Sequence, residues 1–213
     1  MNAHTESELL ALATRLVEEA ADLIRAIRAK GFETQTKTDS SPVTEADTTA
    51  EAHILRSLRA ATPDIPVVAE EEVAAGLQTA VAPTYWLVDP LDGTREFAAG
   101  RDDFTVNIGL VRDGRAFLGA MSLPAYHQTY WGGVGLGAFR RDSRGEQAIH
   151  VRKAPAEGLS VLASRHHADD VRLAEYLNGR NIASLGNIGS AVKFVRVAEG
   201  LVDLYPRLGP TME

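Results

Sequence analysis

The chain has 213 residues, of which 45% are hydrophobic and 24% charged, with a formal net charge of −7 and no cysteine. This is an ordinary globular composition, and the lack of cysteine excludes disulfides, thiolate metal sites and thiol nucleophiles. The acidic charge argues against a nucleic-acid partner, no apolar run approaches the roughly 20 residues that cross a bilayer, and we expect a cytoplasmic protein.

Two amphipathic helices are predicted at the start of the chain. Each begins with a capping box, Thr5 with Glu8 in the first and Thr44 with Asp47 in the second. Apolar residues recur at three- and four-residue spacing after each box. The first helix is expected to end before Gly31, and the polar residues that follow it are expected to form a loop.

From Pro66 onward the pattern predicts mostly strands. Asp113-Gly114, between two apolar runs, is a strong signal for a two-residue hairpin. A basic turn with Arg140, Arg141 and Arg144 is expected to close this sheet. The predicted strands cover residues 67–69, 85–88, 104–111, 116–123, 129–131 and 137–139.

A second region with alternating strands and helices is predicted to follow. Helices before a meander and then alternating elements indicate an α+β fold with two lobes. We expect one domain over residues 1–213, with an N-terminal lobe over about 1–150 and a second lobe over about 151–213. The predicted elements of the second region are strand 159–163, helix 169–178, strand 182–185, helix 190–199 and strand 202–205.

The densest group of reactive side chains follows the strand at 85–88. The segment Asp89-Pro90-Leu91-Asp92-Gly93-Thr94, here called the acid turn, is predicted to be tight, because proline fixes φ and glycine accepts positive φ. A tight turn can aim two carboxylates and the Leu91 carbonyl at a shared point. These are hard oxygen donors, which suit Mg²⁺ rather than zinc or copper.

Two further features point to phosphate chemistry. Glu70, at the end of a different strand, can complete the acid group, whereas the two acids after it are expected to face solvent. A short helix is predicted to open at Thr94, and the unpaired N–H groups of a helix start suit a phosphate. Asp92, Gly93 and Thr94 are therefore candidate substrate-binding residues. Together these features predict hydrolysis of a phosphate ester by metal-activated water, with Thr94 and Glu70 orienting and deprotonating that water.

The acid turn resembles the signature of the inositol-monophosphatase superfamily, and the resemblance extends along essentially the whole chain. Residues 41–47 resemble the family's early helix-opening segment, and residues 67–71 resemble the strand that carries a metal-binding glutamate. The resemblance implies a layered αβαβα fold of the sugar-phosphatase kind. It also implies lithium-sensitive hydrolysis of phosphate monoesters that depends on two or three Mg²⁺ ions.

The resemblance also implies roles for individual residues. Thr94 becomes a residue that activates water and binds phosphate. Asp47 becomes a catalytic residue near the metal site, and its place in a capping box offers a purely structural explanation of the same residue. The implied metal ligands are Glu70, Asp89, the Leu91 carbonyl and Asp92.

Within the superfamily, the chain is most similar to bacterial 3′(2′),5′-bisphosphate nucleotidases of the CysQ type. Arg95-Glu96-Phe97, Ser164-Arg165-His166 and the segments 189–194 and 204–207 carry this narrower resemblance. It implies hydrolysis of adenosine 3′,5′-bisphosphate to AMP and phosphate, within sulfur metabolism. The alternatives are an inositol-1-monophosphatase or fructose-1,6-bisphosphatase and, in another class, a non-catalytic nucleotide-binding protein.

Candidate substrate-binding residues in the second lobe lie near the ends of predicted elements. Each of three has a structural alternative: Lys193 as a surface charge, Ser190 as a helix cap and Tyr205 as part of a core edge. The candidates are Ser164, Arg165, His166, Ser190, Lys193, Tyr205 and Arg207.

One departure from the family concerns the C-terminal end of the sequence. The family's next motif is a Trp-Asp segment whose aspartate completes the second metal site, and residues 209–213 stop short of it. We therefore expect the natural protein to continue. The superfamily contains both monomers and dimers, so the resemblance leaves a homodimer open.

Overall fold

The computed structural model describes residues 4–36, 42–80, 82–165 and 170–208. It divides into two compact units, Met1–Ala148 and Ile149–Glu213. Both mix helices and strands, which confirms the predicted α+β class. Within the described ranges, no helix is long and apolar enough to cross a membrane.

Within its described residues, the first unit has four α-helices. The two long ones begin at the predicted capping boxes, in which each N-cap threonine and its third helical residue exchange hydrogen bonds. The first ends before Gly31, whose φ is +85°. The helices are α1 (Glu6–Lys30), α2 (Glu45–Ala61), α3 (Glu70–Ala74) and α4 (Thr94–Ala98).

The strands of the first unit form a short hairpin and a seven-stranded sheet. The hairpin pairs β1 (Thr34–Thr36) with β2 (Pro42–Thr44). The sheet has the order β3-β4-β5-β6-β7-β8-β9, and all its pairs are antiparallel except β3 with β4. Its strands are β3 (Val67–Ala69), β4 (Thr84–Asp92), β5 (Thr105–Arg112), β6 (Arg115–Leu123), β7 (Gln128–Gly133), β8 (Gly137–Asp142) and β9 (Gly145–Ala148).

The core of the first unit lies between the two long helices and the sheet. Helix α1 contacts α2 and strands β5 to β7, and α2 contacts β3 and β4. Trp86 of β4 is fully buried there, and its indole N–H donates to the hydroxyl of Thr62 at 3.1 Å. Burial of this apolar surface fixes β4, and with it the acid turn at the end of β4. Other large side chains that are fully buried include Leu16, Ile24, Ile54, Leu58, Leu91, Phe97, Phe104, Ile108 and Leu110.

Three details differ from the predictions for this unit. Strand β4 does not end at Val88 but runs through Pro90 to Asp92, because a shift of register between Asp89 and Asp92 places the proline, which has no N–H, outside the regular ladder. The segment expected to be a loop contains β1. The basic turn is wrong for Arg140 and Arg141, which belong to β8, and the chain turns back after them into β9.

The described part of the second unit contains a two-stranded parallel sheet and two helices. Strand β10 (Leu159–Ser164) pairs with β11 (Ile182–Ile188), and α5 (Asp170–Leu177) lies between them in the chain. Helix α6 (Val192–Ala198) follows. The strand predicted at 202–205 is wrong, since only one isolated bridge joins Leu204 to Val161.

Candidate active site

Two predicted acids follow directly after the last parallel pair of β3 and β4. Ala69 of β3 pairs with Val88 of β4, so Glu70 and Asp89 are the next residues along the two neighbouring strands. Glu70 is also the first residue of α3. Parallel pairing thus brings to one sheet edge two carboxylates that are 19 positions apart in the sequence.

The polar atoms of the acid turn form hydrogen bonds within the turn and to β5. One oxygen of Asp89 accepts a hydrogen bond from the backbone N–H of Leu91 at 3.2 Å. Asp92 pairs with Thr105 of β5, whose hydroxyl donates to Oδ2 of Asp92 at 3.4 Å. Gly93 follows with φ +95° and ψ +34°, a left-handed conformation that favours glycine, and α4 begins directly after it.

Thr94 joins the acid turn to helix α2. Its hydroxyl oxygen lies 2.9 Å from Oδ1 of Asp47 and 3.0 Å from the carbonyl oxygen of Leu91. A hydroxyl has one hydrogen and two lone pairs, so it donates to one of these acceptors at a time. Its own lone pairs can then accept a hydrogen bond from a further donor, such as water.

Asp47 serves as a capping residue and as the partner of Thr94 at once. Its Oδ2 accepts from the backbone N–H of Thr44 at 2.8 Å and from the hydroxyl of Thr44 at 2.6 Å. The residue is fully buried. Burial raises the pKa of this carboxyl, and the hydrogen bonds from Thr44 and Thr94 oppose the rise. The capping and the catalytic interpretations of Asp47 are therefore compatible.

Glu51 is a buried acid that the sequence analysis missed. Its two carboxylate oxygens accept the backbone N–H groups of Glu71 at 2.8 Å and Glu72 at 3.0 Å, at the start of α3. Burial raises its pKa to about 7. Glu51 therefore anchors the helix that carries Glu70. Its position one turn after Asp47 on the same helix is too weak a signal to have indicated this role from the sequence.

The oxygen atoms of the acid turn are the type of ligand that a hard divalent cation such as Mg²⁺ prefers. Among the described residues, no three acidic or histidine side chains lie close enough together to hold a metal ion by themselves. Mg²⁺, however, is commonly held by one or two carboxylates together with waters and substrate oxygens. Asp89 and Asp92 can supply those carboxylates. Beside them, Oδ1 of Asn107 is buried and, within the described ranges, accepts no hydrogen bond, so the site has an unused oxygen acceptor.

In the second unit, several predicted residues meet beyond the ends of β10 and β11. Lys193 is 3% exposed, and its ammonium donates to the carbonyl of Ile188 at 3.0 Å and to that of Ser190. Ser190 has φ +56°, an uncommon conformation for a residue other than glycine. The ammonium also lies 5.2 Å from the ring centre of Tyr205. Lys193 is thus not a surface charge.

The remaining second-unit candidates are placed as follows. Ser164 is buried, ends β10 and pairs with Ile188. The N–H of Arg165 donates to the Ile188 carbonyl at 3.3 Å, so both residues lie beside the segment that Lys193 holds. Arg207 is partly buried. His166 lies outside the described residues.

Comparison with known proteins identifies the family. The sequence profile of the inositol monophosphatase family matches residues 5–213. The chain belongs to this family. Its members depend on metal ions, generally Mg²⁺, and the predictions of family and of a phosphatase enzyme are confirmed.

Within this family, the chain is similar to CysQ proteins, both in sequence and in structure. The 3′(2′),5′-bisphosphate nucleotidase CysQ of Salmonella typhimurium is 42% identical over 199 residues, which cover 92% of this chain and 79% of the relative. The protein of the same name from Escherichia coli K12 is 40% identical with the same coverage. The crystal structure of CysQ from Bacteroides thetaiotaomicron superposes with a TM-score of 0.79 at 28% identity, covering all of this chain and 83% of that one.

Proposed function

We propose that this family member is a Mg²⁺-dependent 3′(2′),5′-bisphosphate nucleotidase that removes the 3′-phosphate of adenosine 3′,5′-bisphosphate. The products are AMP and inorganic phosphate. The substrate class is supported by the nucleotidase relatives, which are 40–42% identical to this chain. The reaction type is supported by the geometry of the acid turn.

One observation carries the proposal: the hydrogen bond between Thr94 and Asp47. It joins a hydroxyl in the acid turn to a buried carboxylate of α2, beside Asp89 and Asp92. A water that donates a hydrogen bond to Thr94 Oγ1 can pass its proton there, while the hydroxyl proton moves to Asp47. The water oxygen then bonds to phosphorus, and the bond from phosphorus to the 3′ oxygen breaks. That oxygen takes up a proton from a solvent water, and Asp47 returns its proton to solvent.

The residues of the acid turn define where a cation acts. Asp89, Asp92 and the Leu91 carbonyl would hold it, with Glu70 on the neighbouring strand. A bound Mg²⁺ lowers the pKa of water and stabilises charge on the leaving oxygen. Binding of two or three ions, inhibition by lithium and a cytoplasmic location are finer parts of the proposal that rest on the family resemblance.

The second unit supplies residues suited to the nucleotide. Arg165 and Arg207 can pair with phosphate, since a guanidinium donates two parallel hydrogen bonds to such anions. Tyr205 offers an aromatic face. Lys193 acts in this proposal by shaping the backbone at Ser190, because its ammonium donates to the carbonyl oxygens on either side of the turn at residues 188–190.

The test is phosphate release from adenosine 3′,5′-bisphosphate and from inositol 1-phosphate, with Mg²⁺ and with or without lithium. We expect lithium-inhibited release with preference for the nucleotide. Asp92→Asn is expected to abolish turnover and to leave the circular dichroism spectrum unchanged. The matched control is Asp113→Asn, the same chemical change in the exposed β5–β6 turn, which is expected to keep full activity.

Other outcomes separate the alternatives. Preference for inositol 1-phosphate retains the acid turn as the catalytic site and overturns the nucleotide assignment. Tight nucleotide binding by calorimetry without phosphate release favours the non-catalytic alternative. Full activity in Asp92→Asn contradicts the role given to that residue.

A further inference from the structure

Asn107 is the cross-strand neighbour of Asp89. The two residues face each other in the antiparallel ladder of β4 and β5. Directly opposed residues on antiparallel strands project to the same face, with their Cβ atoms about 4.5–5.5 Å apart. Asn107 therefore lies beside the acid turn, although it comes 13 positions after the last residue of that turn.

A chain of hydrogen bonds links Asn107 to the second carboxylate of the acid turn. Its amide nitrogen donates to the hydroxyl oxygen of Thr105 at 3.1 Å, and that hydroxyl lies 3.4 Å from Oδ2 of Asp92. Thr105 is fully buried. Asn107 is therefore linked to both aspartates. It is the strand partner of Asp89, and it is connected to Asp92 through the hydroxyl of Thr105.

The direction of donation fixes the orientation of the amide. The hydroxyl of Thr105 has a single hydrogen, which it gives to the carboxylate of Asp92. Its oxygen must therefore accept from Asn107, so the amide nitrogen faces Thr105 and Oδ1 faces away from it. That Oδ1 atom is buried and has no hydrogen-bond partner within the described part of the chain.

A buried acceptor without a donor is energetically unfavourable, so the presence of one beside two aspartates indicates that a donor binds there. The ionised carboxylates of Asp89 and Asp92 are themselves acceptors and cannot supply one. Water in the hydration shell of a divalent cation is a strong donor, because the cation draws electrons from it. Mg²⁺ dehydrates reluctantly and keeps several such waters.

We propose that Asn107 is a positioning residue for the metal site of the acid turn. Its nitrogen orients Asp92 through Thr105, and its Oδ1 accepts a hydrogen bond from a water in the hydration shell of a cation held by Asp89 and Asp92. The proposal deepens the proposed function and rests on it only in requiring a cation at the acid turn. Asn107 itself touches neither the reacting phosphorus nor the attacking water.

The test measures Mg²⁺ binding directly. Isothermal titration of the full chain with MgCl₂, without substrate, compares the wild type with Asn107→Leu and Asn107→Asp. Loss of such an outer partner weakens metal affinity by about 10–100-fold, and this is the result expected for Asn107→Leu. Asn107→Asp keeps an oxygen acceptor at the position but loses the amide donor to Thr105, and it is expected to bind Mg²⁺ more tightly than Asn107→Leu. The stabilising shift of Tm by Mg²⁺ should follow the same order.

A matched control separates metal binding from folding. Ser122→Ala removes a buried polar group from the adjacent strand β6, where Ser122 pairs with Val106 and not with Asn107. It is expected to leave the Mg²⁺ affinity unchanged. If Asn107→Leu does not fold by circular dichroism, Asn107→Ala takes its place, with the same loss of affinity expected.

The possible outcomes decide this inference separately from the proposed function. Equal Mg²⁺ affinity in the wild type and in the folded leucine or alanine variant overturns the inference, even if the wild type hydrolyses the nucleotide. A wild type that binds no Mg²⁺ overturns it as well. A wild type that binds Mg²⁺ but releases no phosphate contradicts the proposed function, whereas weaker binding by Asn107→Leu in that case still supports the inference.

Discussion

In the first unit, Thr94 reaches Asp47 across 47 positions of the sequence, whereas in the second unit Lys193 bonds to carbonyls only five and three positions away. The acid turn is held by a distant helix, and the segment at Ser190 is held by its own neighbours. A distant partner ties the geometry of the acid turn to the packing of the first unit's core. A local partner makes the geometry of the Ser190 segment depend on residues close to it in the sequence.

The largest effect is expected from breaking the distant contact. Thr94→Val keeps the shape of the side chain but removes the hydroxyl that lies between Asp47 and Leu91. Since positioned proton transfer contributes about 10²–10⁴-fold to rates, we expect a loss of kcat of about that size. Steady-state phosphate release measures it, and Thr94→Ser should restore most of it.

The control for this change lies on the same helix as Asp47. The hydroxyl of Thr48 donates to the Glu45 carbonyl at the exposed start of α2, so Thr48→Val should leave kcat unchanged. An unaltered kcat in Thr94→Val would show that the distant contact is structural only.

Removing the local contact made by Lys193 should change KM for the nucleotide more than kcat. Lys193→Met keeps the apolar stem and removes the ammonium that holds the carbonyls of Ile188 and Ser190. Hydrogen bonds to charged groups contribute about 1.5–3 kcal/mol, so we expect KM for the nucleotide to rise about tenfold or more, with kcat nearly unchanged. The exposed Lys153→Met is the control. A fall in kcat without a change in KM would contradict the division of roles between the two units.

A smaller effect, on the free energy of unfolding, is expected from replacing either of two glycines. They have similar φ angles and lie one in each unit. Gly200 has φ +74°, and a Cβ there would lie 3.0 Å from the His150 carbonyl and 3.1 Å from the Arg152 nitrogen. Gly100 has φ +72°, and a Cβ there would meet no atom within 4 Å. Gly100→Ala should cost about 1 kcal/mol from conformation alone, and Gly200→Ala about 1–3 kcal/mol.

Urea unfolding of both glycine variants measures the difference between them. A larger loss in Gly200→Ala assigns the excess to crowding against residues 150–152. Equal losses would mean that the second unit relaxes around the added methyl group.

The last prediction concerns the dependence of stability on pH. The pKa of Glu51 in the folded protein is about 7, against an ordinary value of 4.5, so between these values the folded state binds the proton more tightly than the unfolded state does. Its contribution to stability is therefore present below about pH 4.5 and is lost as the pH rises through about 7. Glu51→Gln should remove this part of the slope in urea unfolding between about pH 4 and 8 with EDTA. Exposed Glu157→Gln should retain it, and identical slopes in the wild type and Glu51→Gln would contradict the assignment.

Local signals in the sequence predicted much of the fold. The capping boxes at Thr5 and Thr44 are present, because a cap depends only on residues within one turn. The Asp113-Gly114 hairpin is also present, with φ +51° and +73°. The passage of β4 through Pro90 was not predicted, because only the partner strand β5 reveals that the chain stays paired after a shift of register.

In the candidate site too, features set by neighbouring residues could be predicted, whereas features that depend on distant contacts could not. The acid turn could be recognised from consecutive residues, and its candidate ligands stay predictions. Glu51 and Asn107 could not be recognised, since their relation to Glu70 and Asp89 exists only after α2 packs on the sheet and β5 pairs with β4. An acid within a helix and an asparagine within a strand carry no local signal of a shared site.

The packing of α1 has a consequence for synthesis of the protein. Its residues Glu6 and Glu18 meet Arg112 and Arg141, which come 106 and 123 positions later. A ribosome adds about 5–20 residues per second, so α1 emerges many seconds before strands β5 to β8 are complete. Through that interval its apolar stripe has no sheet to cover it, and nascent chains paused before Arg112 should be the form of this protein that chaperones bind most readily.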